Sequence, residues 1–192
     1  MKDILFFSHN QKKIIEINQI FKSSRINIDN LNSFKKVKEP KETGGTFSSN
    51  AKIKSMHGQK IFKIPCFADD SGFCVEALSN GPGVKSKRFL EKFSSNKKAF
   101  EYIISNVVKK RNNKAFFVTA ISLTLKENHH ITFLGKISGT VSLKPKGMNG
   151  FGYDPIFIPE NNIKTFAEMS LEEKNVISHR KIAITKLKSF LF

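Results

Sequence analysis

Ile64-Pro65-Cys66-Phe67-Ala68-Asp69-Asp70-Ser71-Gly72-Phe73-Cys74-Val75 is the stretch on which the reading of this chain turns. A short apolar run ends on two adjacent carboxylates, Ser-Gly follows, and a second apolar run begins at Phe73. The pattern predicts a buried strand ending in a tight polar turn at Asp69-Asp70-Ser71-Gly72. In open α/β sheets the C-terminal edge of a strand is where ligands bind. An Asp placed there can hold a hard cation through oxygen and can take a proton from water. Asp-Asp-Ser-Gly is also ordinary turn chemistry, so the rest of the chain has to supply the other parts of a site.

Upstream, Ile4-Leu5-Phe6-Phe7 reads as a buried strand running into the polar segment Ser8-His9-Asn10-Gln11-Lys12-Lys13. A helix follows, with Ile14, Ile17 and Phe21 at helical spacing. Strand, short polar loop and helix start form an arrangement that can bind an anion. The alternative is a capped helix, with Ser8 or Asn10 as the cap and solvated lysines. Ile26 to Phe34 reads as a strand with a turn at Asp29-Asn30, and Lys35 to Glu42 as a charged loop. Glu42 precedes the turn Thr43-Gly44-Gly45, and Thr46 can cap a helix over roughly 47–60 that carries Lys54.

Downstream, Phe73 to Leu78 is strand-like and Asn80-Gly81-Pro82-Gly83 reads as a loop. Phe100, Ile103, Ile104, Val107 and Val108 form an amphipathic helical stripe, which is core packing. Ala115 to Leu125 and Ile131 to Leu143 predict an antiparallel hairpin with His129 and His130 exposed at its tip. Gly147-Met148-Asn149-Gly150-Phe151-Gly152-Tyr153-Asp154-Pro155 reads as a loop offering aromatic faces and a carboxylate to a heterocycle, or as a structural turn with buried rings. Ser170-Leu171-Glu172-Glu173 is a capping box. A second helix starting after Ser178 would put His179 and Arg180 in a first turn suited to an oxygen-rich ligand. A continuous helix would make them ordinary surface residues.

The composition limits the partners. An apolar fraction of 39% in 192 residues fits one globular domain, 1–192, with an ample core. A net charge of +17 points to polyanionic partners. Only Arg25, Arg88, Arg111 and Arg180 are arginines, however, and a lysine-rich mix with abundant Asn, Ile and Phe is what AT-rich codons encode. Cys66 and Cys74 form no framework and read as buried free thiols. No stretch approaches the ~20 apolar residues of a membrane span, and the cytoplasm is the expected location.

Taken together, Ser8-x-Asn10-x-x-Lys13-x-x-Glu16, Glu42-Thr43-Gly44-x-Thr46-Phe47, Asn50-Ala51-x-x-Lys54, Ala68 to Gly72, Gly81-Pro82-Gly83-Val84-x-Ser86-x-Arg88, Phe151 to Phe157, Ala167-Glu168-Met169 and Ser178-His179-Arg180 occur in this order. The chain resembles, over essentially its whole length, the inosine/xanthosine triphosphate pyrophosphatase family. That resemblance implies an α/β fold: an elongated central mixed sheet flanked by helices, with two lobes enclosing an active-site cleft, as a homodimer. It implies hydrolysis of dITP, ITP or XTP to monophosphate and pyrophosphate with Mg²⁺, and no stable nucleic-acid partner. Asp70 would be the proton acceptor and, with Glu42, a metal ligand. Ser8, His9, Asn10, Gln11, Lys12, Lys13, Lys54 and Ser71 would contact the substrate, chiefly its phosphates. Phe151, Gly152, Tyr153, Asp154, Lys174, His179 and Arg180 would hold the nucleotide, the last two near the purine 6-oxo group.

Three positions depart from the family pattern, and two of them carry expectations. His9 stands where many relatives have glycine and lacks its backbone freedom. Ser49 stands where relatives often carry Glu, so the capping box from Thr46 is expected to be lost and that helix start weakened. Lys87 replaces a small residue. Two other readings compete. A basic nucleic-acid-binding module would account for the charge, although no recognisable RNA or DNA motif appears. A Maf-like nucleotide pyrophosphatase would share a related fold but extend to pyrimidine triphosphates.

Overall fold

Strand β1 (Asp3–Phe6) buries Ile4, Leu5 and Phe6, as expected of a parallel strand covered on both faces. It pairs in parallel with β2 (Asn27–Asn30) and with the start of β3 (Cys66–Val75), Leu5 opposite Cys66 and Phe6 opposite Phe67. The computed structural model describes residues 3–22, 26–34 and 37–191; Lys35 and Lys36 of the expected loop fall outside them. The strands are hydrogen-bonded in the order β2-β1-β3-β5 (Lys114–Lys126)-β6 (His129–Val141)-β7 (Phe157–Pro159), with β4 (Gly81–Pro82) added to β3. The chain divides into two compact units, one drawn from residues 1–70, 119–135 and 180–192, the other from 71–118 and 136–179.

In the first unit, helices α1 (Gln11–Phe21) and α6 (His179–Leu191) supply Ile14, Ile17, Ile20, Phe21, Ala183, Ile184 and Leu187 to a cluster that takes in Phe67, Ile121 and Leu123. Leu5, Phe7, Leu31, Cys66 and Ala68 form a separate cluster with Phe34, Val37 and Phe62. Alternation along β3 therefore sends Phe67 into one cluster and its neighbours Cys66 and Ala68 into the other. Asn10 caps α1 through its side chain, which accepts from the backbone of Lys12 and Lys13. Helix α2 (Phe47–Phe62) runs close to the expected span.

In the second unit, Phe73, Val75, Phe100, Ile103, Val107, Phe117, Tyr153, Phe157, Phe166 and Met169 pack together. Helix α3 (Ser86–Leu90) precedes α4 (Asn96–Lys110), whose predicted stripe buries Phe100, Ile103 and Val107 and leaves Val108 exposed. Strand β4 (Gly81–Pro82) lies antiparallel to β3, and β7 (Phe157–Pro159) antiparallel to β6. Strands β5 (Lys114–Lys126) and β6 (His129–Val141) form the predicted hairpin, closed by Glu127-Asn128 with Asn128 at φ 61°. Helix α5 (Leu171–Ile177) starts at the Ser170–Glu173 capping box, and extended Ser178 separates it from α6. The helix does restart.

Four local expectations are corrected. The turn expected at Asp29-Asn30 comes one step later: both residues lie in β2, and Leu31–Ser33 makes the turn, with the Asn30 side chain accepting from Asn32 N–H. Asp69-Asp70-Ser71-Gly72 is not a turn: β3 runs unbroken through it, with Asp69 and Asp70 only 1% and 5% exposed. Turn propensity loses because the buried carboxylates find cations and an amide donor inside the fold. Asn80 to Gly83 is not all loop, since Gly81-Pro82 adds a short strand to β3. The capping box of α2 is present: Ser49 N–H donates to Thr46 Oγ1 at 3.1 Å, and Thr46 N–H to Ser49 Oγ at 3.1 Å. A serine hydroxyl spans that gap because the Thr46 amide lies close to it.

Candidate active site

Consecutive residues of a strand face opposite ways, so the two aspartates belong to different networks. Asp69 Oδ1 accepts from Lys13 Nζ at 2.9 Å, and Oδ2 accepts from Arg180 Nε and Nη2 at 3.4 and 3.3 Å. Arg180 also donates to Glu16 through Nη1. All four side chains are largely buried. Burial alone would raise Asp69, but Lys13 and Arg180 outweigh it and hold the carboxyl well below the usual carboxylate range. Lys13 is pushed down from the ordinary lysine value by burial, with Asp69 opposing. A buried network of this kind is costly to break, because removing one partner strands a charge.

Asp70 has a different environment. Its Oδ2 accepts from Asn50 Nδ2 at 3.0 Å. Lys54 Nζ donates to Glu42 Oε1 at 2.9 Å, the lysine being nearly buried and the glutamate a third exposed. Burial pushes Asp70 from 3.8 up to about 6; Lys54 pulls it down and Glu42 pushes it up. Burial works against the Lys54 charge, yet Asp69, Glu42 and Asp70 together hold it above the usual lysine range. Glu42 and Asp70 are thus close enough to repel each other, with Lys54 held by both.

Asn50, fully buried, ties the two acids' carriers together: Nδ2 goes to Asp70, and Oδ1 accepts from Gly44 N–H at 2.8 Å. A Cβ on Gly44 would meet Ser49 Oγ at 2.1 Å and Asn50 Oδ1 at 2.7 Å, so this close approach requires glycine. At the start of α1, Ser8 Oγ accepts from Asn10 N–H, and Gln11 Oε1 accepts from Asn32 Nδ2. Lys12 is exposed. His9 is exposed and has no left-handed backbone, so its replacement of glycine carries no strain of that kind. Among the described residues, no group of three or more His, Cys, Asp or Glu could hold a metal ion unaided. Glu42 and Asp70 remain the pair whose oxygens could meet a hard cation.

The second unit holds its own polar centre. Asp154 Oδ2 accepts from Lys174 Nζ at 2.6 Å and from Phe151 N–H at 2.7 Å. Lys174 Nζ lies 5.0 Å from the Phe151 ring centroid, and Asp154 and Lys174 are both nearly inaccessible. Phe151, Gly152 and Ser71 are half-buried. Tyr153 faces inward: its ring stacks on Phe73 at 5.0 Å and its hydroxyl donates to Ser86 O at 2.8 Å. His179 is buried and stacks on Phe117 at 4.7 Å and 11°.

A family model, the Ham1 family, matches residues 4–190. The chain belongs to the Ham1 family. It is 40% identical over 182 residues to the dITP/XTP pyrophosphatase of Gluconobacter oxydans, covering 95% of this chain and 87% of that one. It is 39% identical over 194 residues to the dITP/XTP pyrophosphatase of Porphyromonas gingivalis, covering 100% and 98%. The solved structure of a HAM1 protein from Coxiella burnetii matches with a TM-score of 0.89 at 34% identity, covering 100% of this chain and 98% of that one. The Staphylococcus aureus Ham1 structure matches with 0.86 at 35%, covering 99% and 98%.

In this Ham1 chain the structure gathers Lys13, Glu42, Lys54, Asp70 and Arg180 into the first unit, and Phe151, Asp154, Lys174 and His179 into the second. Arg180, picked out by sequence for the nucleotide, has its guanidinium on Glu16 and Asp69. Glu16, Asn50 and Asp69 are the residues that sequence reasoning did not assign. Asn50 lies one helical turn before Lys54, a spacing that places both on one face of α2.

Proposed function

We propose that this chain hydrolyses non-standard purine nucleoside triphosphates (dITP, ITP and XTP) to the monophosphate and pyrophosphate, clearing them from the nucleotide pool. The observation that carries the reading is the Glu42–Lys54–Asp70 cluster, whose buried aspartate is raised to about 6, in a chain related to dITP/XTP pyrophosphatases along its whole length. A base of that strength is ionised near neutral pH and still accepts a proton readily. Asp70 takes the proton of the attacking water, and Asn50, which donates to its Oδ2, fixes the carboxylate plane. Lys54 and Lys13 supply positive charge to the triphosphate.

Magnesium typically takes one or two carboxylates and completes its shell with substrate phosphate oxygens and water, so two acids rather than three fit the donor set. Glu42 and Asp70 would hold it. Bound there, Mg²⁺ supplies Lewis-acid polarisation and charge neutralisation on the phosphates. Ser8 to Lys12 and Ser71 are assigned to the phosphate end. Phe151, Gly152, Asp154, Lys174 and His179 are assigned to the nucleoside; Tyr153, bonded to Ser86, and Arg180, bonded to Glu16 and Asp69, serve by holding the fold around it. Donors facing a 6-oxo acceptor would be left unpaired by adenine's 6-amino group, at about 1–3 kcal/mol each. The protein is read as a cytoplasmic homodimer, and no helix among the described residues is long and apolar enough to cross a membrane.

The deciding experiment follows pyrophosphate release from ITP, dITP and XTP against ATP, GTP, CTP and UTP, with and without Mg²⁺. Preference for the 6-oxo purines that disappears on chelation is the expected outcome. Equal turnover of ATP and ITP would remove the specificity, and preferred turnover of pyrimidine triphosphates would favour the Maf-like reading.

A further inference from the structure

Residues 37–44 have no regular secondary structure and carry Glu42, so whatever holds this strap decides where that carboxylate stands. Two histidines grip its upstream part by the backbone. His9 Nε2 lies 2.6 Å from Val37 O, and His57 Nε2 lies 3.2 Å from Lys38 O. Carbonyl oxygens only accept, so both rings present N–H at Nε2. The backbone N–H of His9 also donates to Glu39 Oε1 at 2.9 Å. His57 is braced edge-on against Phe7 at 5.7 Å, and Val37 packs on the cluster that contains Phe7. Downstream, Gly44 N–H is held by Asn50.

We propose that His9 and His57 are positioning residues, clasping the Val37–Glu39 strap so that Glu42 is set for a divalent cation. The inference rests on the reading that Glu42 and Asp70 share such an ion. Neither ring acts on reacting atoms; both act through the backbone that bears Glu42. A cation must compete with Lys54 for the Glu42 carboxylate, so the backbone anchors keep the strap placed while the side chain changes partner. A ligand's apparent affinity falls with the fraction of protein in the competent arrangement, and loss of one hydrogen bond alters such a population about fivefold.

The test uses full-length His9→Phe and His57→Phe, which keep a ring and lose the donor, beside His9→Gln and His57→Gln, which keep a side-chain N–H. His9→Ala serves if a phenyl ring is not tolerated at that position. Hydrogen exchange by mass spectrometry is read on peptides covering 37–44, and Mn²⁺ binding to nucleotide-free protein by electron paramagnetic resonance. The donor-less variants should exchange about fivefold faster in that segment alone, with β1 and α4 unchanged. Their Mn²⁺ dissociation constants should rise by a similar factor, and glutamine should reverse both effects. Unchanged exchange, or faster exchange with unaltered Mn²⁺ affinity, overturns the proposal. Neither measurement uses a nucleotide, so a protein inert toward ITP, dITP and XTP would instead overturn the functional reading.

Discussion

Replacing Asp70 by asparagine removes a charge that the fold disfavours while keeping the side chain's shape and its capacity to accept from Asn50. The folded carboxyl is raised from 3.8 to about 6. Between those values the native state binds more protons than the unfolded chain, so stability falls as pH rises through this window and stays lower above it. At 1.36 kcal/mol per unit, ionised Asp70 costs the wild type about 3 kcal/mol at pH 8. Asp70→Asn carries no such cost. Urea melts in EDTA should show the variant more stable by about 2–3 kcal/mol at pH 8, with the gap narrowing toward pH 5. In the same protein, pyrophosphate release should fall by about 10²–10⁴ through loss of the proton acceptor. A variant less stable than wild type at pH 8, with the same urea dependence, would mean that Lys54 holds Asp70 ionised in the fold. The base assignment would then lose its physical ground.

Asp69→Asn, one residue away, should act in the opposite direction: Lys13 and Arg180 lose their shared anion, and melts should record a loss of about 3–5 kcal/mol. Because Asp69 is held below its ordinary value, its stabilisation is complete above the unfolded pKa and lost only as pH falls below about 4. Asn50→Asp cannot donate to Asp70 and sets a second carboxylate beside it, so the acid limb of the pH–activity profile should move to higher pH. Ser49→Ala deletes the acceptor for the Thr46 amide and should cost about 1 kcal/mol in thermal melts. An unchanged melting temperature would return the α2 start to the weakened state expected from sequence.

How much of this was legible in the sequence depended on whether local pattern or distant partners decided the outcome. The α1 stripe, most of the α4 stripe and the 114–141 hairpin follow from periodicity and caps within a few residues and appear in the fold, although Val108, counted in the α4 stripe, is exposed; of the two readings at Ser178, the restart is the one found. The run through Asp69-Asp70-Ser71-Gly72 could not be read that way. Its local chemistry favours a turn, and only Lys13, 56 positions away, and Arg180, 111 away, make a buried strand affordable. Tyr153 has the same cause: a Gly-rich loop looks solvent-facing until Phe73 and the Ser86 carbonyl are in place. Glu42 and Asp70 were paired by the family resemblance, whereas Asn50, which links their carriers, stood in the motif Asn50-Ala51-x-x-Lys54 with no role assigned, because its partners Gly44 and Asp70 are fixed only by the fold.

The adjacency of the two aspartates becomes chemically useful because the strand does not turn. In a turn both carboxylates would be solvated and would titrate alike. In an extended strand they part to opposite faces, where one is held by Lys13 and Arg180 and the other is buried between the opposing charges of Lys54 and Glu42, with Asn50 on its Oδ2. Neighbouring groups whose environments drive their acidities apart can divide structural and proton-transfer roles. Asp69 stays ionised and holds two cations in the interior; Asp70 keeps enough basicity to accept a proton. Lys54 feels both acids as well as Glu42, so a change at any one of the three should be read in the other two. A double-mutant cycle between Glu42→Gln and Asp70→Asn should therefore show coupling above about 0.5 kcal/mol in metal-free melts. Strict additivity would mean that the two carboxylates do not sense each other, and the shared-cation reading would fall with it.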